Sequence, residues 1–359
     1  MHVGIIGAAG FIGSNLTEYL LRERPDWTIH GIDLDSQRLD AMLGSDRLRF
    51  SRADILVDHQ AVDALVEAAD VVLPLAAIAT PIRYVRHPLS VFELTFEANL
   101  RVVRSCVDRG KRVVFPSSSE VYGMSDDAAF DEATTKLVLG PIEKHRWIYA
   151  CSKQLLDRVI HAYGLERGLR WSIFRPFNWI GPRLDSVLDA REGSSRVLTQ
   201  FIGNVVRREN IRLVDGGFQR RCFIYIDDAI DALVRIIENR DGCADHRIFN
   251  VGNPRNDISI RELGELLIEL IHGYPGFEDV RRTVQLEDVA SKDYYGTGYQ
   301  DIATRTPSIR NAEQHLGWRP DTDLRSAVIR TLDYYLSDLA RGEAVAPAAR
   351  RADPSRAQD

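Results

Sequence analysis

Tyr149 and Lys153, in RWIYACSKQLLDRVI, stand four residues apart. On a helix that spacing puts a phenol and an ammonium on one face. Alone, the pair is an ordinary feature of a helix surface. With positive charge nearby to draw the phenol down from its usual pKa of ~10, it becomes a base able to take a proton from a hydroxyl. A second group lies upstream in KRVVFPSSSEVYG, where Ser118, Ser119 and Glu120 end an apolar run. Serine and glutamate are poor material for a buried strand. Ser118 is expected at the strand's end as a hydrogen-bonding partner for Tyr149.

A third pattern supplies the other reactant. GAAGFIG sets Gly7, Gly10 and Gly13 in a G-x-x-G-x-x-G run, with Phe11 and Ile12 opening a helix. Glycines let the backbone approach a pyrophosphate, and the helix N-terminus stabilises its charge. Asp33 ends the next strand about twenty residues on, where a carboxylate accepts from a ribose 2′-hydroxyl and repels a 2′-phosphate. This favours NAD over NADP. Asp54, in RADI, either meets the adenine edge or caps a turn. Ile55 and Ala76 complete the expected cofactor-binding set. The oxidised nicotinamide and Lys153 would together lower the Tyr149 pKa toward neutrality, so that hydride leaves for NAD as the proton leaves for Tyr149.

These residues need elements to hold them. HVGIIG, WTIHGID, LRFSRAD, VVLPLAA, RVVFPSS and RWSIFRP read as short β-branched strands. Between them, Ile12, Leu16 and Tyr19, and then Val62, Leu65 and Val66, fall on single helical faces. Alternating strands and helices predict an α/β, Rossmann-type doubly wound parallel sheet, with ligands beyond the carboxyl ends of its strands. Past Arg175 the alternation weakens. Ile226, Ile230, Leu233 and Ile237 are spaced for one helix face, and Ser259 with Glu262 has capping-box spacing. The expected division is an NAD-binding domain over 1–178 with a segment returning at about 223–252, and a smaller substrate-binding lobe over 179–222 and 253–340. The tail 341–359, rich in Ala, Arg and Pro, is expected to be disordered.

Bulk properties exclude several classes. The 359 residues are 45% hydrophobic, with 46 basic and 52 acidic residues well mixed to a net charge of −6. A nucleic-acid partner is not expected on that balance. The longest apolar stretch, VVLPLAAIATPI, is too short to span a bilayer and holds two prolines. HVGIIG starts a strand almost at once, so no signal peptide is expected. Cys106, Cys151, Cys222 and Cys243 lack C-x-x-C spacing and read as reduced thiols rather than a metal site.

Taken together, the chain resembles the extended short-chain dehydrogenase/reductase superfamily over nearly its whole length. LPLAAIATPIRYVRHPLSVFEL, FPSSSEVYG, GPIEKHRWIYACSKQLLDRVI, FRPFNWIGPRLD, RLVDGGFQRRCF and YYGTGYQDIATRTPSIRNA look like one branch of it. That branch is the UDP-glucuronic acid dehydrogenase/decarboxylase domain of bifunctional polymyxin-resistance proteins, here expected as a stand-alone chain. The resemblance implies oxidation by Tyr149 and Lys153, and decarboxylation and protonation by Glu120 and Arg305. It implies that Arg146 meets the substrate carboxylate. Contacts to the sugar nucleotide would come from Ala79, Tyr84, Ser118, Ser119, Asn178, Arg212, Gln219, Arg221 and Tyr299. It also implies a cytoplasmic homodimer with a UDP-sugar substrate.

Neighbouring reactions differ at Ser119. Sugar-nucleotide 4,6-dehydratases carry Asp-Glu at this pair, and the aspartic acid protonates the departing C6 hydroxyl, which serine is too weak an acid to do. UDP-apiose synthases carry cysteines where Ser119 and Leu137 stand. A cofactor-binding protein without activity would be expected to lose the Tyr/Lys pair, which is intact. Release of the 4-ketopentose and its reduction to UDP-xylose both remain open.

Overall fold

The computed structural model describes residues 1–188 and 195–340. The tail 341–359, expected to be disordered, lies outside the described residues. All six expected strands are present: β1 His2–Ile6, β2 Thr28–Asp33, β3 Leu48–Arg52, β4 Val71–Pro74, β5 Arg112–Pro116 and β6 Trp171–Pro176. A seventh, Arg247–Val251, pairs with β6 and falls in the expected returning segment, although its own pattern did not single it out. The order is Arg247–Val251, β6, β5, β4, β1, β2, β3, and every pairing is parallel. The chain winds outward from β1 to β3 and then crosses back to β4. The gap beside β1 is therefore the topological switch point where such sheets bind ligands.

Successive strand side chains point to opposite faces, and both faces are apolar here. Val3 and Ile5 of β1, Val71 and Leu73 of β4, and Val114 of β5 pack on one face. Ile6, Val72, Val113 and Phe115 pack on the other. Helices Phe11–Glu23 and Ile226–Glu238 cover the first face, and the four spaced apolar residues of the latter are all buried. Helices His59–Ala68, Asn99–Asp108 and Trp147–Arg167 cover the second. Both covers are amphipathic helices turning one stripe inward.

The rest of the chain forms small paired strands at the carboxyl edge. Trp179–Ile180 pairs with Ile224–Tyr225, Arg220–Cys222 with Asp257–Ser259, and Ile211–Val214 with Leu286–Val289. Ser259 and Glu262 close a complete capping box on helix Ile260–Ile271. The apolar residues here join the core of the first sheet face. We propose the lobe boundaries expected from the sequence, because among the described residues the main sheet gains no strand between β6 and Arg247–Val251. Among the described residues no helix is long and apolar enough to cross a membrane, and all four cysteines are free.

Candidate active site

The turn after β1 is shaped to bring backbone close to a ligand. Gly7 has φ +86°, and a Cβ there would stand 2.8 Å from the Ala76 nitrogen. A Cβ on Gly13 would stand 2.3 Å from the Gly7 oxygen, so Gly13 lets the helix pack against the turn. Gly10 caps helix Phe11–Glu23 without a side-chain hydrogen bond, leaving its first N–H groups open to an anion. The Asp33 carboxylate accepts from Ala9 N at 2.9 Å and Leu34 N at 2.8 Å, which fixes it beside the glycine turn. These features fit a dinucleotide pyrophosphate and its adenosine ribose.

Gly7, Gly10, Phe11, Ile12 and Gly13 line a cavity of about 520 Å³, and Tyr149, Lys153, Ser118, Ser119, Glu120 and Arg305 line the same cavity. So do Ala79, Tyr84, Arg146, Asn178, Arg212, Gln219, Arg221 and Tyr299. Asp33, Asp54, Ile55 and Ala76 do not line it. The Asp54 carboxylate accepts from Leu56 N at 2.9 Å, and its backbone oxygen accepts from Val57 N and Asp58 N, so the side chain takes part in the turn as one of its two readings had it. Ile55 is core, and Ala76 packs under Gly7. The sequence reading missed Arg38, Arg196, Tyr295 and Asp301, which also line the cavity. Arg38 follows Asp33 by five residues and donates to Ala9 O. Arg196 lies over the Phe11 ring and pairs with Asp185.

Helix Trp147–Arg167 carries the reacting pair. Lys153 Nζ donates to Pro116 O at 2.6 Å, tying the helix to the end of β5. Tyr149 shares a hydrogen bond with Ser118 and stacks on Tyr84, with centroids 4.8 Å apart and planes 4° from parallel. The protein's own groups oppose the lowering of the Tyr149 pKa. Burial pushes the Tyr149 phenol up to about 12, and the Ser118 hydrogen bond only partly offsets it. Burial likewise pushes Lys153 down to about 7, against the pull of Asp157. The protein's own groups therefore keep Tyr149 protonated at neutral pH, and lowering it falls to the cofactor's charge.

Ser118 is extended and caps the short turn Ser119–Tyr122, accepting from Glu120 N at 3.1 Å. This cap turns Glu120 away from the strand and into the cavity. Its Oε2 lies 2.5 Å from Arg146 Nη2, and its Oε1 lies 2.8 Å from Arg305 Nη2. Arg305 Nη1 also donates to Ser119 Oγ at 3.3 Å. Burial pushes the Glu120 carboxyl up, but the two guanidinium groups prevail and hold it at about 2. Arg146, expected to meet the substrate carboxylate, already has partners of its own. It is occupied by Glu120, by Gln300 O and, at 3.7 Å, by Asp301, with the Tyr299 ring 5.0 Å away. Asp301 also binds Arg221 at 2.8 Å.

Residues 3–252 match the NAD dependent epimerase/dehydratase family. The chain belongs to that family. Its cofactor is NAD, in keeping with the glycine turn and Asp33. The PbgP3 protein from Burkholderia pseudomallei is 48% identical, with a TM-score of 0.86 over 96% of this chain and 98% of that one. UDP-glucuronic acid 4-epimerase from Bacillus cereus is 21% identical, with a TM-score of 0.78 over 94% and 99%. dTDP-glucose 4,6-dehydratase from Bacillus anthracis is 17% identical, with a TM-score of 0.76 over 94% and 97%. The last two share the fold. Family membership makes the chain an NAD-dependent sugar-nucleotide enzyme of the epimerase/dehydratase kind.

Proposed function

We propose that this family member oxidises the C4 hydroxyl of UDP-glucuronic acid and expels its C6 carboxylate as carbon dioxide, giving a UDP-4-keto-pentose. The observation that carries this reading is the Glu120 carboxylate held between Arg146 and Arg305 in the cavity that Tyr149 lines. Epimerisation at C4 needs the tyrosine pair alone, and dehydration needs an acid where Ser119 stands.

Tyr149 removes the C4 hydroxyl proton, while Lys153 and Ser118 hold the phenol in place. NAD on the glycine turn supplies the acceptor for the C4 hydride. The C4 ketone makes the C5 carboxylate substituent a β-keto acid, so carbon dioxide can leave with its electron pair delocalised onto the C4 oxygen. Tyr149 and Ser118 donate to that oxygen as its charge grows. Arg146 and Arg305 supply the positive charge at the carboxylate end, with Glu120 between them serving the protonation of C5.

The test incubates the purified protein with NAD and UDP-glucuronate labelled at C6. Labelled carbon dioxide with a UDP-pentose product is expected. Accumulated UDP-4-keto-pentose marks release, and UDP-xylose marks its reduction before release. A UDP-hexuronate epimer with no carbon dioxide would overturn the proposal.

A further inference from the structure

Glu120 makes one hydrogen bond to each of two arginines and a bidentate pair with neither. On both guanidinium groups the bonded atom is Nη2, and on both the adjacent Nε–H is buried with no partner among the described residues. Nε and Nη2 form one edge of a guanidinium, the edge that fits the two oxygens of a carboxylate. Arg146 and Arg305 retain only 2% and 6% of their side-chain exposure, so water does not readily satisfy these donors; Glu120 retains 14%. The anion here is the more accessible member, and it fills half of each site.

On the basis of the function proposed above, we propose that the substrate carboxylate displaces Glu120 from the Nε/Nη2 edge of Arg146, and that the released Glu120 takes up the proton it later gives to C5. In its clamped state Glu120 is no acid, since its carboxyl is held at about 2 against the upward push of burial. Exchange removes one guanidinium and brings a second carboxylate close, and both changes favour the protonated form. The other facing groups do not prevent this. Tyr84, Tyr149 and Tyr299 are all pushed up by burial and stay neutral. Arg221 also pulls the Glu120 carboxyl down, but Asp301 pairs with both Arg221 and Arg146, and Arg305 remains as the one cation ion-paired with Glu120.

The step balances. The C5–C6 bond breaks, carbon dioxide leaves, and the electron pair passes into the C4–C5 enolate. The C5–H bond then forms with the Glu120 proton, and the carboxylate returns to Arg146 as the departing group vacates it.

The experiment counts protons on binding. Tyr149→Phe protein saturated with NAD is titrated calorimetrically with UDP-glucuronate, in buffers of differing ionisation enthalpy, from pH 5.5 to 8. UDP-glucuronate should bind with net proton uptake that falls as pH rises, whereas UDP-glucose should bind with none. Glu120→Gln in the same background should retain UDP-glucuronate binding and lose the uptake. Saturable binding with no proton uptake at any pH, or equal uptake with UDP-glucose, would overturn the exchange. Absence of UDP-glucuronate binding would instead overturn the functional proposal on which it rests.

Discussion

Arg305 Nη2 lies 2.8 Å from Glu120 Oε1, and the same guanidinium reaches Ser119 Oγ at 3.3 Å. Glu120 leaves the end of β5, and Arg305 comes from the loop after Tyr299, so the pair closes the cavity from two sides. Replacing Glu120 by Gln, or Arg305 by Met, should cut carbon dioxide release by about 10²–10⁴-fold, the usual worth of acid–base assistance. Single-turnover mixing with C6-labelled UDP-glucuronate, following NADH absorbance and labelled carbon dioxide together, checks this. Carbon dioxide release should fall at least as far as hydride transfer. Wild-type release from both variants would remove the pair from the mechanism.

Tyr149→Phe keeps the ring that stacks on Tyr84 and loses only the hydroxyl. Turnover should nearly vanish while UDP-glucuronate still binds, because the phenolate acts as charge moves in the transition state. Steady-state kinetics with a separate binding isotherm distinguish a loss in kcat from one in KM.

Arg146→Lys keeps a charge and removes the edge that could grip two oxygens. Preference for UDP-glucuronate over UDP-glucose should weaken, measured as the ratio of their binding constants. An unchanged ratio would place the substrate carboxylate elsewhere.

Asp33 is proposed to accept from a ribose hydroxyl, so NAD should support turnover far better than NADP. Asp33→Ala should weaken NAD by roughly 10-fold or more, the scale of a charged hydrogen bond of about 1.5–3 kcal/mol. It should weaken NADP less. Equal use of both cofactors by the unaltered protein would refute the assignment.

Lys153 gives a pH signature in stability. Burial lowers its folded pKa from 10.5 to about 7, so between those values the unfolded chain binds more protons than the folded one. Stability therefore rises with pH across that window. Below about 7 the cost of the buried ammonium is present in full. Lys153→Met should lack this rise, and its stability relative to wild type should be better at pH 7 than at pH 9.5. Denaturant titrations at the two values check it, and turnover of the variant should be lost.

Much of the scaffold was legible because it rests on local pattern. The glycine run, the Tyr149–Lys153 spacing, the Ser259–Glu262 cap and the β-branched runs each specify a turn, a face or a strand through neighbours in sequence. The family resemblance carried the legible part of the site further, to Glu120, Arg146 and Arg305. Asp54 remained ambiguous because a carboxylate after a strand suits a turn and a ligand equally. In the fold its carboxylate accepts from Leu56 N within the turn and stands outside the cavity lining. Strand Arg247–Val251 was not singled out because a short apolar run shows its role only once β6 offers it an edge.

The sequence by itself determined which groups could act: a phenol and an ammonium four apart, three glycines ahead of a helix, and a glutamate beside a serine where a dehydratase needs an acid. The tertiary structure alone decided their electrical state. A pKa depends on the charges and low-dielectric walls within a few ångströms, and those come from chain segments far apart in sequence. Burial holds Tyr149 protonated and Lys153 near neutrality. Arg146 and Arg305, converging from two directions, turn Glu120 from a would-be acid into a clamped anion.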